Sequence, residues 1–79
     1  MALLAIVILN WNGRPFLERF LPIVESRSKR DDTIIVVADN GSTDSSVAYL
    51  KEHHPEVRII EFDKNHGFTG GYNKALAQV

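Results

Sequence analysis

The sequence predicts a Rossmann-like α/β fold with the order β-α-β-α-β-α and three parallel strands. Three observations carry this. Short apolar runs alternate three times with longer amphipathic segments. The intervening segments are long enough for parallel crossovers, which need about a dozen residues. Polar clusters rich in Asn, Asp and Gly follow each apolar run, whereas the loops at the other ends, Ser28 to Asp32 and His53 to Glu56, read as charged surface. Right-handed crossovers then place the helices on the sheet faces, as in the first half of a doubly wound domain.

Each element has its own signal. Leu3 to Leu9 is apolar at every position, which suits a strand covered on both faces. Phe16 to Arg27 carries Phe16, Leu17, Phe20, Leu21 and Val24 at helical spacing, with Asn12 as the expected N-cap, Pro15 in the first turn and Pro22 expected to kink or weaken the helix. Thr33 to Ala38 is the second strand. Ser45 to His53 reads as a short helix buried through Val47, Ala48 and Leu50, stopped by Pro55. Val57 to Phe62, interrupted by Arg58 and Glu61, is a third strand nearer a sheet edge. Phe68, Tyr72, Ala75, Leu76 and Val79 mark one face of a third helix.

Composition narrows the function classes. The 79 residues hold no cysteine, which excludes disulfides and thiolate metal sites. Nine basic and ten acidic residues give a net charge of −1, so there is no basic signature for nucleic acid. The apolar run at the start is far below the roughly 20 residues of a membrane-spanning helix, and no basic residue precedes it as in a signal peptide. His53 and His54 read as surface, and the three histidines lack metal-ligand spacing. The glycines at 67, 70 and 71 spell neither a dinucleotide fingerprint nor a P-loop, and there is no G-x-S-x-G elbow and no D-x-D.

Ligands of an open parallel sheet bind beyond the carboxyl ends of the strands. Three clusters fall there: Asn10-Trp11-Asn12-Gly13, Asp39 to Asp44, and Asp63 to Gly67 running on to Asn73. Asp39 follows a buried strand, where its carboxylate either accepts from a ligand donor such as a uracil or thymine N–H, or accepts backbone N–H groups of its own turn. Trp11 offers a flat face for a base, or simply packs. Ser42, Thr43 and Asp44 read as helix-capping residues.

These clusters, in this order and spacing, resemble the N-terminal part of family 2 glycosyltransferases of the GT-A fold. The carriers are Ala5 to Gly13, then Val36-Val37-Ala38-Asp39-Asn40-Gly41-Ser42-Thr43-Asp44, then Asn65-His66-Gly67-Phe68-Thr69-Gly70-Gly71-Tyr72-Asn73. The last is most similar to the rhamnosyltransferase-like branch. The resemblance implies the nucleotide-binding portion of an enzyme of polysaccharide biosynthesis that moves a sugar from a nucleoside-diphosphate sugar, of UDP or dTDP type, to an acceptor hydroxyl on a glycan or lipid-linked sugar. It assigns nucleotide-sugar binding to Asn10, Trp11, Asn12, Asp39, Asn40, Asn65, Gly67, Gly71 and Asn73. Asn10 and Trp11 would line the base pocket and Asp39 would contact the base. Asn10 and Trp11 replace a commoner Thr and Tyr, and Tyr72 replaces a frequent Arg.

The family's D-x-D, which holds a divalent Mn or Mg ion, and its catalytic base are absent from these residues, so no catalytic and no metal-binding residue is assigned. The chain is expected to be an incomplete domain over residues 1–79, ending inside its third helix, inactive alone, and marginally stable or self-associating. The expected location is the cytoplasm, with any membrane attachment left to other regions. The alternatives are a nonenzymatic nucleotide-binding or regulatory α/β module, and a structural piece that associates through its sheet edge.

Overall fold

A computed structural model describes residues 4–28 and 32–78. The elements are β1 (Leu4–Asn10), α1 (Arg14–Arg27), β2 (Thr33–Asp39), α2 (Ser46–His53), β3 (Arg58–Glu61) and α3 (Gly67–Gln78). The strands form one parallel sheet in the order β1-β2-β3. The expected alternation is therefore the observed one, with boundaries shifted by a residue or two. Leu3, Lys29 to Asp31 and Val79 lie outside the described residues.

Register fixes what meets at the top of the sheet. Asn10 pairs with Asp39, and Asp39 with Glu61, so the three strand ends are level. Side chains alternate between faces along each strand. On one face Ile8, Ile35, Val37 and Ile59 pack with Leu17 and Leu21 of α1, Tyr49 and Leu50 of α2, and Val57. On the other, α3 lies over β1 and β2. Gly71 of α3 sits so close that an added Cβ would fall 2.8 Å from Leu9 Cδ1 and 2.8 Å from Asn40 Nδ2.

Several expectations of burial are corrected. β2, not β1, is the better covered strand: Val36, Val37, Ala38 and Asp39 are buried although Ile34 is exposed, whereas β1 is mostly half-buried and Leu4 is exposed, because β1 is an edge of this sheet. In α1 only Leu17 and Leu21 are buried. Phe16 and Phe20 are exposed and stack on each other at 4.7 Å, with the Arg19 guanidinium over Phe20. The helix runs through Pro22 and is capped by Gly13 rather than Asn12. In α2 the inward residues are Ser46, Tyr49 and Leu50, and Ala48 faces water.

In α3 the buried face is Gly71 and Ala75, while Phe68 and Leu76 are exposed. Close packing on the sheet selects the small side chains, and Leu76, one position on from Ala75 and so about 100° round the helix, turns to the outside.

His54 is the clearest departure. It is buried, not surface: its Nε2 lies 3.0 Å from the Tyr49 hydroxyl and its Nδ1 meets the Glu25 carboxylate. As C-cap of α2 it donates its N–H to Leu50 O at 2.8 Å, which turns the ring back between α1 and α2. His53 is exposed.

Candidate functional site

The polar strand ends of β1 and β2 form two adjoining groups. In the first, Asn10 is buried at the end of β1 and donates from Nδ2 to Asp39 Oδ1 at 3.0 Å and to Ser42 Oγ at 3.3 Å. Asp39 is 3% exposed. Its Oδ1 also accepts the Ser42 hydroxyl at 2.6 Å, and its Oδ2 accepts the Ser42 N–H at 2.9 Å. A carboxylate offers about four acceptor positions. Three are taken by these donors, so the one left is on Oδ2. Gly13 is needed beside this group, since a Cβ there would lie 2.4 Å from Asn10 Oδ1.

Between Asn10 and Gly13 the chain makes a tight turn that presents Trp11, 55% exposed. Asn12 adopts a left-handed backbone, φ +49°, which Asn tolerates better than most residues. Its side-chain oxygen accepts the N–H groups of Thr43 at 2.7 Å and Asp44 at 3.1 Å, and its own N–H donates to Ser42 Oγ at 2.9 Å. The β1–α1 and β2–α2 turns are thus laced together.

The second group joins β2 to the start of α3. Asn40, 2% exposed, donates from Nδ2 to Asn65 Oδ1 and to the Gly67 carbonyl, both at 3.0 Å, and accepts the His66 N–H at 2.8 Å. Asn65 Oδ1 further accepts the Gly67 N–H at 2.7 Å. Gly41, at φ +77°, lies against the Lys64 backbone, where a Cβ would stand 2.5 Å from its carbonyl carbon.

The residues singled out from the sequence therefore have different surroundings. Asn10, Trp11, Asn12 and Asp39 come together at one turn pair. Asn40, Asn65, Gly67 and Gly71 come together beside them as a closed packing and hydrogen-bonding unit. Asn73 stands exposed on α3 and joins neither group.

Ser42 and Asp44 do more than the sequence reading gave them. Ser42 binds Asp39 and the Trp11 turn, and only Asp44 acts as a cap, accepting both the N–H and the hydroxyl of Ser46 and the N–H of Arg14. The Asp-x-x-Ser spacing was the available signal, since an aspartate commonly closes on N–H groups two or three residues ahead. Burial pushes the Asp44 carboxyl up, but the Ser46 hydrogen bonds, the Arg14 N–H and the Arg14 charge outweigh it and hold the group below its ordinary value.

A metal does not fit what is described. Among the described residues no three His, Asp or Glu side chains converge into a cation site, and Asp39, the most buried acid at the strand ends, stands among the donors of Asn10 and Ser42.

The comparisons agree with one another. The family model for glycosyl transferase family 2 matches residues 5–79. An N-acetylglucosaminyl-diphospho-decaprenol L-rhamnosyltransferase of Mycobacterium tuberculosis is 32% identical over 76 residues, covering 96% of this chain and 24% of the relative. A teichoic acid poly(glycerol phosphate) polymerase of Staphylococcus epidermidis is 29% identical over 80 residues, covering 96% of this chain and 11% of the relative. Among solved structures, the mannosyltransferase PcManGT of Pyrobaculum calidifontis, in complex with GDP-Man and Mn2+, superposes with a TM-score of 0.80 at 27% identity, over 96% of this chain and 24% of that one. The chain thus spans about a quarter of the length of the rhamnosyltransferase and mannosyltransferase it matches. Strand order, strand-end motifs and family model lead to one conclusion: the chain belongs to glycosyl transferase family 2.

Proposed function

We propose that this chain is the nucleotide-binding portion of an enzyme that transfers a sugar from a nucleoside-diphosphate sugar to an acceptor hydroxyl. One observation carries the reading: Asp39 is buried at a strand end, oriented by Asn10 and Ser42, and keeps one acceptor position on Oδ2, while Asn10, its partner in the sheet, leads directly into the exposed Trp11. An oriented carboxylate with one open position fits an N–H on the edge of a base, and an indole fits its face. Uracil, thymine and guanine all carry such an N–H. The Asn40 to Gly71 unit shapes the adjoining wall rather than donating to the ligand.

The relatives support a lipid-linked sugar as acceptor, since the rhamnosyltransferase is named for a diphospho-decaprenol substrate. We assign the divalent cation, Mn or Mg, and the acceptor base to residues outside these 79. The chain alone then binds nucleotide without transferring sugar.

The test is calorimetric titration of the 79-residue chain with uridine, thymidine and guanosine diphosphates. Saturable binding of at least one is expected. Asp39→Ala should weaken it about tenfold or more, as loss of a hydrogen bond to a charged group does. Absence of binding by all three, from a chain that is folded by circular dichroism, refutes the reading.

A further inference from the structure

We propose that Ser42 is a positioning residue, whose hydroxyl ties the Asp39 carboxylate to the Trp11 turn and so sets the acceptor and the aromatic wall of the site relative to each other. The inference rests on the nucleotide-binding reading of that site. The Ser42 hydroxyl donates to Asp39 Oδ1 at 2.6 Å, and accepts from the Asn12 N–H at 2.9 Å and from Asn10 Nδ2 at 3.3 Å. A hydroxyl has one proton to donate and two lone pairs, so Ser42 has nothing left for a ligand. What it does is done through its neighbours.

Its backbone N–H donates to the other carboxylate oxygen, Asp39 Oδ2, at 2.9 Å. One residue therefore grips both oxygens, which stops rotation of the carboxylate and aims the acceptor position still open. The same hydroxyl holds the N–H of Asn12 and the amide of Asn10, the two residues that flank Trp11. An indole this exposed takes its direction from the turn beneath it. Helix capping does not account for Ser42, because α2 starts at Ser46, Ser45 is its N-cap, and the Ser46 N–H donates to Asp44.

Trp11 is the only tryptophan, so intrinsic fluorescence reads this turn directly. The experiment compares steady-state Trp11 anisotropy in the free chain with titration by uridine diphosphate. Ser42→Ala is expected to lower the anisotropy, with the far-ultraviolet circular dichroism retained, and to weaken uridine diphosphate about tenfold. Ser42→Thr, which keeps the hydroxyl, should restore both. Ser45→Ala, which loses a bond from Arg14 outside this group, should change neither.

Unchanged anisotropy in a folded Ser42→Ala chain overturns the proposal whatever the nucleotide does. If anisotropy falls but the wild-type chain binds no nucleoside diphosphate, the link from Ser42 to Trp11 stands and the nucleotide reading is what fails. Should Ser42→Ala not fold, Ser42→Cys carries the same test: it fills the same space but replaces the hydroxyl by a thiol that donates and accepts only weakly, and an unaltered Trp11 anisotropy there also overturns the proposal.

Discussion

Two buried polar groups stand side by side at the carboxyl end of the sheet, and they differ in what they leave unused. Around Asn40, both amide hydrogens and the side-chain oxygen find partners on the β3–α3 loop. Around Asp39, three acceptor positions are filled and one stays open. Asp39 is the last residue of β2 and Asn40 the next in the chain, so the two groups are organised around neighbouring polar residues at one strand end. Full use of its hydrogen-bonding capacity makes the first a joint; the spare acceptor position of the second is what the proposed nucleotide reading uses.

The comparison breaks most sharply at the joint. Gly41→Ala puts a side chain on a left-handed backbone and 2.5 Å from the Lys64 carbonyl carbon, and this costs more than ~2 kcal/mol. Asn40→Ala removes three hydrogen bonds and strands their partners, for roughly 2–4 kcal/mol. A chain of this size without disulfides rarely has more than about 3–5 kcal/mol to lose. Urea titration followed by circular dichroism should therefore find both variants largely unfolded. A stable Asn40→Ala chain that has lost only nucleotide affinity would reverse the roles assigned to the two groups.

The opposite pattern is expected at Trp11. Its indole is exposed, so Trp11→Ala should shift the urea midpoint by no more than ~0.5 kcal/mol in stability. Losing a stacking platform should still weaken nucleotide binding by about 1–3 kcal/mol. Equal loss of stability and binding would place the indole in the core and remove it from the site.

How far this division was legible in the sequence differs from part to part. The strands, their parallel order and the location of the polar clusters follow from apolar runs that end in Asn or Asp. The helix faces were less legible, because apolar spacing favours large residues. On α3 it picked out Phe68, Tyr72, Ala75 and Leu76, of which only Ala75 is buried, and it missed Gly71, which close approach to Leu9 and Asn40 buries. His54 gave no periodic signal, as its burial depends on Glu25, 29 residues away in the chain. Asn40 and Asp39 are adjacent in sequence and alike in polarity. What separates them is which donors and acceptors reach each one from other loops, and no local spacing encodes that.

The exposed stripe on α3 sharpens the same point from outside the site. Phe68 and Tyr72 stack edge to face at 5.0 Å, and Leu76 continues the row. Together with the uncharged edge of β1, these surfaces should make the chain associate with itself as concentration rises. Sedimentation velocity should show this, and Phe68→Ser with Leu76→Lys should reduce it while leaving the melting temperature nearly unchanged. A wild-type chain that stays monomeric at all concentrations would mean that the stripe is too small or too mobile to dock.

The smallest expected effect is electrostatic and falls at the lacing between the two turns. Asp44 accepts hydrogen bonds from Ser46 and Arg14, and these hold its carboxyl below the ordinary 3.8 in the folded chain. A depressed value means that the unfolded chain takes up a proton first as pH falls. The stability Asp44 contributes is thus fully present above about pH 4 and is lost as the pH drops through the folded value. Because Asp44 is exposed, water screens much of this. Asp44→Asn should flatten the acid limb of the urea midpoint against pH without moving the neutral plateau far. Tyr49 acts at the other end of the scale. Burial, helped by the Glu18 and Glu25 charges and opposed by Arg14, raises its hydroxyl above 10.0, so its contribution is present below that pH and lost as pH rises past it. Tyr49→Phe should level the alkaline limb alone, while an effect of Asp44→Asn on that limb would show that the two turns and the α1–α2 packing titrate as one unit.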